Sequence, residues 1–217
     1  VNVSTAIKAM ESWALLRNLL PHAITVKRME LVGSDGGYDP WTDHQIELAL
    51  NHAPPHLARV IKLEINTGQR SSDIIRMRWS DLNEKKGRLG INVVQRKTGV
   101  QLFIPFWNDF AAEISAWERQ SPLIILDGNG LPYATRNRLS MEWTLERNAN
   151  PALGPLRDPP KVLHGLRSTT VVRLRKMKLS EGQISDLVGM TEPMVARYAR
   201  QTDKEEANIN TVEQAEN

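Results

Sequence analysis

The chain has 217 residues, 41% of them hydrophobic and 24% charged, with no cysteine and a formal net charge of +3. That length supports one good core and a small appendage. The missing cysteines exclude disulfides, thiol nucleophiles and thiolate-bound zinc, and with no run of 18 apolar residues no membrane-spanning helix is expected.

The charge is uneven. Residues 201–217 hold five acids against one lysine, so the 28 basic and 25 acidic side chains of the whole leave 27 and 20 in residues 1–200, a body of +7 ahead of an acidic tail. That distribution suits a polyanionic partner, and it suits an ordinary basic protein equally well. No secretory signal is legible, and the first residue is Val1, so the sequence reads as a part of a longer, cytoplasmic chain.

In chain order, Ile7, Met10, Trp13, Leu15 and Leu16 recur at near-helical spacing over residues 4–19. A loop with Pro21, Gly33, Gly36, Gly37 and Pro40 follows. Residues 1–20 therefore read as the last helix of a preceding domain, residues 21–40 as a linker, and residues 41–200 as the main domain. Thr42-Asp43 starts a helix running to about Asn51. Pro54-Pro55 opens the next, with Leu57, Val60, Ile61 and Ile65 on one face and Gly68 as its stop. A short helix is predicted from Ser71 to about Met77. Strands are predicted over 89–94 and 100–105, with Lys97-Thr98-Gly99 at the turn between them.

Asn108 is placed as the cap of a helix to Gln120, and the apolar stretch 123–126 precedes an Asp127-Gly128-Asn129-Gly130 turn. Residues 136–147 read as helix, 150–161 as a loop, and His164–Met177 as helix. Two short helices, 180–188 and 192–200, flank Gly189. Residues 201–217 carry no apolar period and are expected to be loose, or engaged by a neighbouring protomer. The whole is mainly α with a small antiparallel β-sheet.

Five dispersed residues form a chemically coherent set: Arg70, Lys97, His164, Arg167 and Tyr198. Two guanidinium forks can grip the oxygens of one phosphate. A lysine at a hairpin tip can protonate a leaving oxygen, and a histidine can accept a proton. A phenol ionises only near about pH 10, so it needs cations beside it to attack at neutral pH. Asp73, three residues after Arg70, shares its helical face and can hold it or a neighbour in place.

Each position alone has an ordinary reading. Arg70–Asp73 can be a surface ion pair, Lys97 a solvated turn lysine, His164 and Arg167 a solvated first turn, and Tyr198 a half-buried tyrosine. Residues 180–200 also fit a helix-turn-helix, as in a non-catalytic DNA-binding regulator. What separates the readings is the upstream set, for which a regulator has no need. His52 and His56 are separated by Pro54-Pro55 and form no convincing metal pair; no metal and no cofactor are expected.

The set, in this order and spacing, resembles the tyrosine recombinase (phage integrase) family over roughly residues 40–200. The continuation of Arg70 through Asp73, Ile74, Ile75, Met77, Trp79 and Asp81-Leu82 strengthens the likeness. The resemblance implies the DNA breaking-rejoining fold and a site-specific recombinase or integrase of a phage or other mobile element. It implies that Tyr198 forms a 3′-phosphotyrosyl link to DNA, that Arg70 and Arg167 bind the phosphate, that Lys97 is the general acid and that His164 transfers a proton. It implies double-stranded DNA as substrate, a tetramer across two duplexes, and trans docking of the C-terminal tail. A relaxing topoisomerase with the same nucleophile is a near alternative.

One position departs. The family usually carries His or Trp after the glycine that precedes the nucleophile helix, whereas Gly189 is followed by Met190. A thioether donates no hydrogen bond, so Met190 is expected to pack as apolar support.

Overall fold

The computed structural model describes residues 3–20, 22 and 38–216, in two units, residues 1–35 and 36–217. The first unit contributes one helix, α1 (Val3–Leu16). The expected linker lies, up to Tyr38, almost wholly outside the described residues.

In the second unit, α2 (Asp43–His52) starts at a reciprocal cap. The Thr42 hydroxyl accepts from the Gln45 amide while the Gln45 side chain accepts from the Thr42 amide. The next helix, α3 (Pro55–Thr67), opens on proline and stops at Gly68, whose φ of 62° is the left-handed conformation a helix C-terminus favours. A single turn, α4 (Ser71–Ile74), follows directly and is shorter than predicted.

The sheet has three antiparallel strands in sequence order: β1 (Leu82–Lys85), β2 (Arg88–Val94) and β3 (Gln101–Pro105). Ile91 pairs with both Leu82 and Ile104. The first strand was not predicted, because Asn83, Glu84 and Lys85 are polar edge residues. It exists because Lys86 and Gly87 both take positive φ (52° and 73°), the two-residue turn that matches strand twist.

Then come α5 (Asn108–Ser115), α6 (Arg136–Ala149), a 3₁₀ segment (Pro151–Leu156), α7 (Gly165–Lys176), α8 (Glu181–Val188) and α9 (Glu192–Glu216). The apolar stretch 123–126 makes only an isolated bridge, Leu123 to Arg78.

The tail corrects an expectation. α9 does not stop near Arg200 but runs on to Glu216 as one helix. Its first tail residues pack on their own domain: Thr202 is buried, and Asp203 accepts from Arg175 Nε of α7 at 2.6 Å. Helix propagation from a docked segment adds one hydrogen bond per residue, so an anchored helix can continue where an isolated one would not start.

Two apolar cores position the site. The larger joins α2, α3, the sheet, α5 and α6, and reaches Leu166 at the start of α7. The smaller joins Val171 and Leu174 of α7 to Ile184, Val188, Met190, Val195 and Ala199. One helix, α7, therefore belongs to both cores and is buried on nearly every side over residues 165–171. Side chains at its start are held by packing from two directions.

Candidate active site

Arg167 sits in that doubly buried stretch, 3% exposed. Its Nη1 donates to the carbonyl of Gly68, the glycine that ends α3. Its Nη2 is buried and makes no hydrogen bond, so the guanidinium keeps an uncommitted donor, a feature that asks for a functional reason in a native fold. Burial, with Arg70 as the next cause, pushes its pKa down to about 10, while Tyr198, Asp73 and Glu64 act to raise it. At neutral pH it remains a cation. Arg70 and Tyr198 are thus both near enough to act on its charge.

Arg70 caps the start of α4, two residues after Gly68. Its Nη1 donates to Gln95 Oε1 at 3.4 Å. Gln95 is fully buried and joins three elements. Its Nε2 donates to Gln69 Oε1 at 2.8 Å and to the Val188 carbonyl at 2.9 Å, and its Oε1 also accepts from the Thr98 hydroxyl at 2.7 Å. Gln69 donates in turn to the Val188 carbonyl at 3.1 Å. The Arg70 loop, the turn carrying Lys97 and the end of α8 are thus tied into one polar network. Sequence reasoning missed Gln95. The available signal was its place two residues before Lys97, facing a Gln in Thr67-Gly68-Gln69-Arg70.

Lys97 is exposed in the β2–β3 turn, within the Gln95-to-Val100 closure made by Gln95 N to Val100 O at 2.9 Å. Asp73 serves that turn. Its Oδ1 accepts from the Arg96 amide at 3.0 Å, so among the described hydrogen bonds it holds the backbone next to Lys97 rather than Arg70.

His164 immediately precedes α7 and is half-buried. Burial, then the charges of Arg167, Arg136, Arg70 and Lys97, push its pKa down to about 4. Its imidazole is therefore neutral at physiological pH, the form that can accept a proton. The same four cations define the site's electrostatics. Arg136, the first residue of α6, was not among the sequence candidates, and nothing in its local sequence marks it.

Tyr198 lies two turns into α9, part-buried against the smaller core between the buried Val195 and Ala199. Gly189 makes this approach possible. A Cβ there would lie 2.5 Å from both Gln95 Nε2 and Leu102 Cδ1, so only glycine lets the α8–α9 turn close on the network. Met190 is 7% exposed in the smaller core. The Ser185 hydroxyl donates to its carbonyl at 2.6 Å. Its side chain packs in that core.

One buried acid acts on Arg167. Glu64 of α3 accepts from the Ser71 hydroxyl at 2.5 Å, and its Oε2 has no partner. Burial, against the opposing effects of Ser71 and Arg167, raises its pKa to about 8. Among the described residues no cluster of His, Asp and Glu could hold a metal ion, and no helix is long and apolar enough to cross a membrane.

The fold is that of the catalytic domain of tyrosine recombinases. The chain belongs to the phage integrase family, whose sequence profile matches residues 41–205. It is 31% identical over 165 residues to the integrase of Escherichia phage HK022, across 70% of this chain and 44% of that protein. The chain thus spans less than half the length of this curated relative. Among solved structures it is similar to a lambda integrase tetramer bound to a Holliday junction (TM-score 0.64, 20% identity, 87% of this chain and 56% of that one). It is also similar to the XerH site-specific recombinase bound to a palindromic difH substrate (TM-score 0.65, 14% identity, 95% and 65%).

Proposed function

We propose that this chain is the catalytic part of a tyrosine-type site-specific DNA recombinase, an integrase of a phage or other mobile element. The observation that carries the reading is Arg167. It is a buried cation with an uncommitted donor, on which the charges of Arg70 and Tyr198 act and which itself acts on the neutral His164.

In the proposed step Tyr198 Oη attacks a DNA phosphorus and its proton passes to His164. The bond from phosphorus to the 5′ oxygen breaks, and that oxygen takes a proton from the Lys97 ammonium. Arg70 and Arg167 neutralise the charge that builds on the non-bridging oxygens, the kind of fixed stabilisation for which each donor is worth about 10²–10³ in rate. One phosphoester replaces another, so the 3′-phosphotyrosyl link conserves the bond and rejoining runs the step backwards without ATP. Asp73 and Gln95 hold the turn and the arginine in register. Met190 supplies packing in place of a further donor.

Double-stranded DNA is the proposed substrate, in keeping with the +7 body. The lambda integrase relative is a tetramer on a Holliday junction, which supports a tetramer here. The anchored acidic helix α9, with Ile209 and Val212 exposed, is the segment proposed to dock on a neighbouring protomer. A DNA-associated place in the cytoplasm follows from this reading.

The test uses a library of nicked duplexes with randomised sequence flanking the nick. Protein that partitions with DNA under denaturing conditions is collected and the trapped DNA sequenced. A covalent adduct that disappears in Tyr198→Phe supports the reading. An equal adduct in the Phe variant sinks it. Specific duplex binding without any adduct favours a helix-turn-helix regulator, and supercoil relaxation on any sequence favours a topoisomerase.

A further inference from the structure

The lead-in to the second unit is clipped onto the start of α7. The Trp41 amide donates to Thr169 Oγ1 at 2.6 Å and its indole Nε1 to the Val162 carbonyl at 3.0 Å. Lys161 Nζ donates to the Pro40 carbonyl at 3.1 Å. A Cβ on Gly165 would lie 2.6 Å from the Asp39 carbonyl oxygen, so glycine at this position lets the two backbones touch. These contacts fix residues 39–41 against residues 161–169, and the residue just ahead of them is Tyr38.

The Tyr38 ring meets the His164 ring edge-on, with centroids 5.0 Å apart and an interplanar angle of 78°. This is the T-shaped geometry in which aromatic pairs attract beyond simple burial. Tyr38 is otherwise 56% exposed. A large aromatic held at the surface with its ring on a site histidine calls for a reason, since burial of its own area does not supply one.

We infer that Tyr38 is a positioning residue for His164: the clipped lead-in sets its ring against the imidazole and fixes the plane and the dryness of the proton acceptor. The inference rests on His164 acting as that acceptor. The charged groups that act on the imidazole are Arg167 on α7, Arg136 on α6, Arg70 at α4 and Lys97 in the β2–β3 turn, and the ring beside it is Tyr38. All four cations disfavour the imidazolium, and the Tyr38 ring adds to its desolvation. Without the ring, water reaches the imidazole while the four cations stay, so the histidine becomes easier to protonate and freer to rotate. The hydroxyl of Tyr38 has no part in this, so phenylalanine should serve as well as tyrosine.

The experiment follows the His164 Cε1–H resonance by NMR across pH in the chain labelled with ¹³C-histidine, assigned through His164→Gln. Tyr38→Phe, Tyr38→Ala and Tyr38→Leu are compared, the last keeping apolar bulk without a ring. Removing the ring in Ala and Leu should shift the resonance and raise its titration midpoint by about one unit, and Phe should reproduce the parent. Adduct formation on the selected duplex should slow about tenfold to a hundredfold in Ala and Leu, with the acid limb of the pH–rate profile moved upward, and should recover in Phe. An unmoved midpoint overturns the inference, as does a rate loss uniform in pH. Neither result touches the proposed chemistry, which fails separately if Tyr198→Phe keeps the adduct.

Discussion

Gln69 and Gln95 are buried amides that hydrogen-bond each other at 2.8 Å, and both donate to the carbonyl of Val188. Their pairing joins the loop of one candidate phosphate clamp to the turn of the candidate general acid.

The first prediction concerns this joint. Gln95→Ala leaves Gln69 Oε1, the Val188 carbonyl, Arg70 and Thr98 short of a partner at once. A buried group deprived of its bond costs about 1–3 kcal/mol, so urea unfolding should show a loss of at least that size. Adduct formation should fall by a further factor of about 10–100, as misplacement of a reacting group predicts. Thr98→Ala removes one bond to the same oxygen, and its effect should be clearly smaller in both assays. Equal effects of the two variants would deny Gln95 its linking role.

A second prediction follows from two buried titrations of opposite sign. His164 has an ordinary pKa of 6.5 and a folded value of about 4. Its neutral burial contributes stability that is fully present above 6.5 and lost as pH falls through 4. Glu64 moves the other way, from 4.5 to about 8. Its contribution is fully present below 4.5 and lost as pH rises through 8. Between 4.5 and 6.5 the two slopes oppose and the parent protein should vary little.

Variants separate them. Glu64→Gln cannot ionise, so relative to the parent it should gain up to about 5 kcal/mol between pH 4.5 and pH 9. His164→Gln should flatten the loss between 6.5 and 4. Urea unfolding at pH 4, 5, 7 and 9 measures both. A Glu64→Gln difference that does not change with pH would contradict the buried acid.

A third prediction is steric. Gly189 has φ +62°, and a Cβ there would meet Gln95 Nε2 and Leu102 Cδ1 at 2.5 Å. Gly189→Ala combines backbone strain with this overlap, at about 1–3 kcal/mol for the strain alone. Because the overlap falls on Gln95, the variant should resemble Gln95→Ala in losing adduct formation beyond its stability loss. Gly99→Ala also sits at positive φ but meets no atom within 4 Å. It should cost stability without the additional loss of rate.

Much of this architecture was legible before the structure. A helix buried on one side needs apolar residues at helical spacing, so α3 was legible from Leu57, Val60, Ile61 and Ile65 with its stop at Gly68, and α2 from its cap at Thr42. The candidate set could be picked out because the chemistry proposed for it restricts residue type more than packing does. Three kinds of feature were not. Strand β1 is polar and is made by its turn rather than by its side chains. Gln95 and Tyr38 meet partners far away in sequence, 93 residues for Gln95 and Val188, and no local pattern encodes such a pairing. Helix α9 beyond Arg200 is helical because its start is docked, a tertiary cause that apolar periodicity does not report.

The last prediction tests that docking. Arg175 Nε donates to Asp203 Oδ1 at 2.6 Å, both side chains being about one-third exposed. Beyond this point the described tail side chains are exposed, including Ile209 and Val212. The ion pair ties the start of the tail to α7. Asp203→Asn weakens it by about 1 kcal/mol, which is small for the domain but large for a marginal helix end. Hydrogen exchange should show the amides of residues 204–216 losing protection, while those around Tyr198 keep theirs because Val195 and Ala199 remain buried. Single-turnover adduct formation should hold, since the proposed nucleophile stays in place, whereas multimer formation on DNA should weaken with the frayed tail. Full protection to the end of the helix in Asp203→Asn would show that something other than this ion pair holds the tail.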